Sequence, residues 1–80
     1  MEYKKYQNKI CLLEDNKQLA IIEYTDNNNT YTIYHTFVNE SLRGQGIAKI
    51  LVEKVIEEAN KNKKQVVATC SYAKKILNSK

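Results

Sequence analysis

The sequence predicts an α+β fold in which a mixed sheet is built in the order β-β-β-α-β-α. Three observations carry this prediction. Residues 9–38 contain three strand-like runs separated by turns rich in Asp and Asn. From residue 48 the apolar period changes from two to 3.6, which is typical of an amphipathic helix. Residues 65–78 then contain a short apolar strand followed by a second helical pattern.

The three strands are expected at residues 9–14 (KICLLE), 18–24 (QLAIIEY) and 30–38 (TYTIYHTFV). The third strand is β-branched and aromatic throughout, as strands prefer. Uninterrupted alternation would place its side chains in two sets on opposite faces of the sheet. One set is Tyr31, Ile33, His35 and Phe37, and the other is Thr32, Tyr34, Thr36 and Val38.

The long helix is predicted from apolar residues that recur every three to four positions and form one stripe. The members of the stripe are Ala48, Leu51, Val52, Val55, Ile56 and Ala59. Polar residues at 60–64 end this helix. A buried strand is expected at residues 65–69 (QVVAT), and a second helix at residues 71–78 with Ser71 as its N-cap. A helix between two strands of one sheet should make a right-handed crossover, with the two strands parallel.

The composition favours one small domain over residues 1–80, since no proline, repeat or low-complexity linker divides the chain. The formal charge of +4 comes almost wholly from lysines scattered along the sequence. One arginine is too few for the bidentate contacts that nucleic-acid recognition uses. We therefore expect no nucleic-acid partner.

The cysteines also limit the classes of protein to which the chain can belong. Cys11, Cys70 and His35 do not have metal-ligand spacing, so no metal is expected, and two cysteines do not make a disulfide framework. Residues 1–10 lack the apolar core of a secretory signal, and the apolar runs are far shorter than the ~20 residues of a membrane span. We expect a cytoplasmic, reduced protein without a membrane partner, as a monomer or weak homodimer.

Both glycines and the only arginine lie in residues 43–46 (RGQG), directly before the long helix. A helix start presents unpaired amides and the positive end of the helix dipole, and such a point binds phosphate. Glycine allows close approach of the backbone, and Arg43 adds a fork of donors. The residues do not form a Walker A loop, and Lys49 breaks a dinucleotide fingerprint. A sharp turn into the helix with no ligand is the alternative.

Residues 43–48 (RGQGIA) match the Arg/Gln-x-x-Gly-x-Gly/Ala loop that binds acyl-CoA, and the chain resembles the GNAT N-acetyltransferase superfamily. It is most similar to a small, single-domain branch, the yjdJ-like predicted acetyltransferases. Residues 35–36 (HT) precede the loop, the helix follows it, and residues 70–72 (CSY) end the next strand, in the order that this branch has. The resemblance implies a minimal GNAT acyl-CoA N-acyltransferase fold, reduced to its acetyl-CoA half.

The resemblance also implies where acetyl-CoA, the cosubstrate, would bind. Its diphosphate would lie on the amides of residues 43–48, and its pantetheine would run beside the third strand. That strand and the strand after the helix must then splay apart, which the family achieves with a bulge that the sequence does not reveal. The expected cofactor-binding residues are Phe37, Val38, Arg43, Gly44, Gln45, Gly46, Ile47, Ala48 and Tyr72.

Two residues are candidates for the chemistry. Cys70 would sit between a strand end and a helix start, where amides, the dipole and nearby lysines lower a thiol pKa. Its thiolate would act as base or as a transient acetyl acceptor, unless Cys70 is simply a small buried residue. His35 would relay a proton, unless it is a core histidine on the face of Tyr31 and Ile33.

A carboxylate base is not expected. Members of the branch often carry an acid two residues after the histidine, and Phe37 occupies that position here. Glu40 is the nearest acid, and we expect its side chain to be solvated. Cys11 is expected in the core.

Three functions are open at this point. The first is an acetyl-CoA-dependent N-acetyltransferase that acts on a primary amine, either a small molecule or a protein lysine. Full-size GNAT proteins have further helices and strands that shape the acceptor site, so we expect an open acceptor cleft. The second is a CoA-binding module or sensor with little or no catalysis, which the lack of a carboxylate at Phe37 favours. The third is a small basic adaptor for acidic partners.

Overall fold

The computed structural model describes residues 1–78, which form one sheet and two α-helices. The elements in chain order are β1 Glu2–Tyr6, β2 Lys9–Glu14, β3 Lys17–Asp26, β4 Thr30–Val38, α1 Ile47–Lys61, β5 Gln65–Ala68 and α2 Ser71–Asn78. A 3₁₀ turn, Glu40–Leu42, follows β4 and leads into the glycine loop. Neither α-helix of the described part is long and apolar enough to span a bilayer.

The sheet is mixed, and its strands lie in sequence order from β1 to β5. The pairs β1–β2, β2–β3 and β3–β4 are antiparallel, and β4 and β5 are parallel. A hairpin turn cannot join two parallel strands, so α1 carries the chain between them. The α+β class and the parallel pair are therefore confirmed.

The strand β1 was not predicted, so the order of elements has one strand more than expected. Its five residues are exposed except for Tyr3, which is half-buried, and this edge strand therefore lacks the apolar alternation that marks a strand in sequence. It pairs with β2 along its whole length, and Lys5 forms an ion pair with Glu58 of α1. Lysines on an edge strand also discourage pairing with another chain.

The core lies between the sheet and the apolar stripe of α1. Leu51, Val52 and Val55 are fully buried, and they belong to one cluster with Ile22 and Ile33 of the sheet. Burial of such side chains stabilises the fold by about 1.5–3 kcal/mol each. The predicted stripe is confirmed, with Ile56 as the one half-buried member.

A bulge in β4 changes which side chains face the core. His35 lies opposite Glu23, whereas Ile33 lies opposite Tyr24, so Tyr34 is the extra residue. Because side chains alternate along a strand, one extra residue exchanges the two faces beyond it. The prediction that one face holds Tyr31, Ile33, His35 and Phe37 was wrong. Beyond the bulge, Thr36 and Val38 face the core and His35 and Phe37 face away from it.

The same point of β4 is where its neighbour departs. The pairing of β4 with β5 ends at Ile33 and Ala68. The amides of Thr69 and Cys70 both donate to the carbonyl of Ile33, at 2.9 and 3.3 Å, and the chain then turns into α2. Residues 34–38 of β4 thus extend past β5. The expected splay of the two strands is present, and it begins at the bulge.

Candidate functional site

The glycine loop is built around two residues with positive φ. Gly44 has φ 85° and Gly46 has φ 75°, values that cost a residue with a side chain about 1 kcal/mol or more. A Cβ on either glycine would meet no atom within 4 Å. Backbone conformation, rather than a crowded neighbour, therefore requires glycine at both positions.

Local hydrogen bonds hold the chain on its way into this loop. The Asn39 side chain accepts from the amide of Ser41 at 3.0 Å and caps the 3₁₀ turn. The amide of Arg43 then donates to the carbonyl of Glu40 at 3.2 Å. Leu42 is buried in the core cluster and anchors the turn. The direction of the loop is thus fixed before the two glycines begin.

The start of α1 has no capping side chain. Gly46 is the N-cap, and no side chain makes a capping hydrogen bond there. The first turn of α1 contains no acidic residue. The amides of residues 47–49 precede the first intrahelical donor, Ile50, which bonds to the carbonyl of Gly46 at 3.1 Å. This combination creates a positive potential and a set of donors at one point.

A cleft of about 400 Å³ opens beside this helix start. Its walls are apolar at Val38, Leu42 and Ile76, and three cations surround it, with no acidic residue in its described lining. The three cations are Arg43, Lys49 and Lys75. A second cavity of about 300 Å³ shares Val38, Arg43 and Tyr72 with the first and reaches along β4 to Thr36. Together the two cavities run from the glycine loop to Thr36, in the part of β4 that extends past β5.

The structure brings most of the predicted cofactor-binding residues together around this groove. Those that line it are Phe37, Val38, Arg43, Gly44, Gly46, Ile47, Ala48 and Tyr72. Gln45 is in the loop but not in the lining. Sequence reasoning missed five residues of the wall: Thr36, Leu42, Lys49, Lys75 and Ile76. The helical period places Ile76 four residues after Tyr72, so the same face of α2 could have been found from the sequence.

Cys70 occupies the N-cap of α2, because its carbonyl accepts the first helical bond, from the amide of Lys74 at 2.9 Å. Ser71, the expected N-cap, is instead the first residue of the helix. Burial raises the pKa of the Cys70 thiol. Hydrogen bonds that the Ala73 amide, the Thr36 side chain, the Tyr72 amide and the Thr36 backbone would donate to its thiolate together outweigh burial, so the net pKa lies below the ordinary value. The thiol is free and half-buried.

Thr36 is a part of the site that the sequence did not indicate. Its hydroxyl oxygen is buried and has no hydrogen-bond partner among residues 1–78. An unpaired buried hydroxyl costs about 1–3 kcal/mol, so such groups call for an explanation. A thiolate at Cys70 is an acceptor that this hydroxyl could serve, consistent with the effect of Thr36 on the Cys70 pKa. The bulge is what turns Thr36 to this side of the sheet.

His35 lies on the other face of β4 from Thr36. Its side chain is exposed, so the alternative of a core histidine was wrong. No hydrogen bond joins His35 to Cys70 within the part of the chain that the structure describes. Glu40 is exposed, as expected, and Cys11 is buried on β2, where burial raises the pKa of its thiol. Across residues 1–78 there is no cluster of three or more His, Cys, Asp or Glu side chains that could hold a metal ion.

The mixed sheet, the bulged and splayed β4, and the glycine loop before α1 define a protein of the acyl-CoA transferase class. The model of the GCN5-related N-acetyltransferase family matches residues 4–80 of this sequence. The chain therefore belongs to the GCN5-related N-acetyltransferase family and is an acetyltransferase.

Solved structures agree with this assignment. A GCN5-like protein from Staphylococcus aureus, assigned as an N-acetyltransferase, is 39% identical, with a TM-score of 0.80 over 98% of this chain and 78% of that one. The ribosomal-protein-alanine N-acetyltransferase from Brucella melitensis biovar Abortus 2308 gives a TM-score of 0.75 at 17% identity, over 89% of this chain and 60% of that one. An acetyltransferase from Clostridium acetobutylicum, solved with acetyl-CoA, gives 0.69 at 16% identity, over 89% and 54%. At such low identity, the last two comparisons show the fold alone. No curated protein matches the sequence.

Proposed function

We propose that this protein is an acetyl-CoA-dependent N-acetyltransferase that transfers the acetyl group to a primary amine. The observation that carries the proposal is the groove that leads from the uncapped start of α1 to Thr36, the residue whose side chain acts on the Cys70 thiol. Donors and cations stand at one end of this groove. At the other end stands Thr36, which acts on a thiol with a lowered pKa. Membership of the family supplies the class of reaction.

The residues of the groove fit a cosubstrate that carries phosphates and an acyl thioester. The amides of residues 43–48 and the guanidinium of Arg43 would hold the diphosphate. The apolar walls at Val38 and Tyr72 would cover the pantetheine, and the part of β4 beyond Ile33 would pair with its amides. The thioester would then lie near the gap between β4 and β5. Acetyl-CoA supplies the activated acetyl group that the transfer needs.

The chemistry needs one proton removed from the amine, one N–C bond formed and the C–S bond of the thioester broken. Cys70 would serve in one of two ways. As a base, its thiolate takes the amine proton and the departing CoA thiolate then receives it. As an acceptor, it takes the acetyl group first and releases CoA, and the amine then attacks the acetyl-cysteine. In both cases the depressed pKa of Cys70 provides the thiolate.

The acceptor is proposed to be an exposed amine, on a protein lysine or a small molecule. The gap between β4 and β5 borders a sheet face on which Phe37 is 44% exposed and Val67 is 45% exposed. An amine on a large partner can therefore approach the gap. We place the reaction in the cytoplasm, with the protein acting as a monomer or weak homodimer.

One observation favours a second function, a CoA-binding module with little or no catalysis. Neither cavity of the groove has an acidic residue in its described lining, and Phe37 stands where related chains often carry a carboxylate. Without a base, the protein would bind CoA but would transfer the acetyl group slowly or not at all. Cys70 is the group on which the two functions differ.

The test is turnover of acetyl-CoA with a panel of amines, followed as free CoA, for the natural protein and for Cys70→Ala. Cys11→Ala serves as the matched control because Cys11 is a thiol outside the groove. We expect turnover that falls at least about tenfold in Cys70→Ala and is retained in Cys11→Ala. Full activity in Cys70→Ala would refute the thiol mechanism. Tight binding of acetyl-CoA without turnover of any amine would favour the binding module.

A further inference from the structure

The cleft beside the glycine loop carries more positive charge than one diphosphate requires. Its cations come from three elements: Arg43 from the loop, Lys49 from the first turn of α1, and Lys75 from α2. Neither lysine forms an ion pair within residues 1–78. All three residues are exposed. The surplus charge faces the cleft from both helices.

The other basic cavity of the molecule differs in this respect. It lies between β1 and α1 and is lined by both signs of charge, with Lys5 paired to Glu58. Lysines there are balanced by acids, as on an ordinary solvated surface. The cleft at the glycine loop has lysines without acids in its described lining. Its charge pattern is therefore a local property, which the scattered lysines of the chain do not explain.

This inference rests on the proposed function. The open amides of residues 47–49 and the guanidinium of Arg43 suffice for the two charges of a diphosphate. CoA carries a further phosphate on the 3′ oxygen of its ribose, which the diphosphate donors do not account for. Lysine is a compact charge on a flexible stem, which suits a phosphate that is partly in solvent. Two lysines on facing walls of one cleft match such a group.

We propose that Lys49 and Lys75 form a second phosphate subsite, which holds the 3′-phosphate of CoA and makes the protein select CoA over dephospho-CoA. Lys49 approaches from the first turn of α1, where the helix dipole adds to its charge. Lys75 approaches from α2, which also carries Tyr72 of the groove wall. The pair thus joins the two helices through the ligand.

The experiment compares the affinities of CoA and dephospho-CoA by calorimetry at low salt. The proteins are the natural chain, the double variant Lys49→Gln/Lys75→Gln, and the control Lys61→Gln/Lys74→Gln. The control removes the same charge from the same two helices at positions outside this cleft. Folding of each variant is checked by its amide NMR spectrum.

We expect the natural chain to bind CoA about tenfold more tightly than dephospho-CoA, since each partly exposed charge pair contributes a few-fold. The double variant should bind both ligands with nearly equal affinity, and the control should keep the preference. Equal binding of both ligands by the natural chain would overturn the inference and leave the proposed function intact. An equal loss for both ligands in the double variant would also overturn it, because the lysines would then act on the diphosphate. Failure of both ligands to bind would overturn the proposed function together with the inference.

Discussion

At Cys70, burial and hydrogen bonding act on one thiol in opposite directions. Burial alone raises its pKa, and hydrogen bonds to the thiolate from the start of α2 and from Thr36 would reverse the effect. At Cys11, burial meets no such set of donors and raises the pKa. The environment of each thiol, and not the residue type, decides which of the two can act as a nucleophile.

Replacing Thr36 by Val should shift the pH profile of Cys70 alkylation. Loss of a donor to the thiolate raises the thiol pKa, so the midpoint of the rate should move to higher pH. At a pH below the natural midpoint the rate should fall about three- to tenfold, as expected for one hydrogen bond of about 1 kcal/mol. Alkylation by iodoacetamide is measured peptide by peptide in the mass spectrometer, with buried Cys11 as the internal reference.

Two observations keep this experiment decisive. The valine substitution removes a hydroxyl without a partner and keeps the side-chain shape, so the free energy of unfolding should stay equal or rise. Thr36→Ser keeps the hydroxyl and should keep the natural midpoint. An unchanged midpoint in Thr36→Val would show that the hydroxyl does not act on Cys70.

The sequence indicated Cys70 because it stands between two predicted elements, but it did not indicate Thr36. Alternation along an unbroken strand puts Thr36 on the face opposite to Ile33. The extra residue Tyr34 reverses this, and a bulge depends on how two strands pair rather than on either strand alone. The same reversal moved His35 to the exposed face.

At the scale of elements, α1 was predictable because its apolar stripe is long and regular. The helix begins directly after Gly46, the N-cap, whose φ is 75°. No side chain caps this start. The edge strand β1 was missed because almost all of its side chains are exposed, so its pairing with β2 leaves no apolar pattern. Elements that bury one face are readable from sequence, and elements held mainly by backbone bonds are not.

Gly46→Ala should destabilise the protein by about 1–2 kcal/mol, because the Cβ of alanine is strained in the left-handed conformation. No clash adds to this cost, since a Cβ there would meet no atom within 4 Å. Asparagine tolerates this conformation, so Gly46→Asn should lose less. Urea denaturation measures both variants.

A much larger loss in Gly46→Ala would mean that the glycine is required by packing. No loss at all would mean that the loop adopts another conformation in solution. A loss between these limits, with asparagine in between alanine and glycine, supports the left-handed N-cap as described.

At the scale of the whole molecule, one sheet with helices packed into a common core presents a basic groove at the start of α1. The net charge of +4 is spread over the sequence, but the structure gathers Arg43, Lys49 and Lys75 at the open helix start. The glycine motif and the order of elements predicted this place. The two lysines were not predicted, because they line one cleft only after α2 packs beside the loop.

The central claim is that the bare amides and cations at the start of α1 hold the phosphates of the cosubstrate. Titration of the ¹⁵N-labelled protein with acetyl-CoA tests it most directly. The claim predicts amide shifts concentrated in residues 37–38, 43–49 and 72–76, with little change in β1 and β2. It is contradicted if residues 43–49 keep their shifts at millimolar acetyl-CoA, or if the changes spread evenly over the sheet.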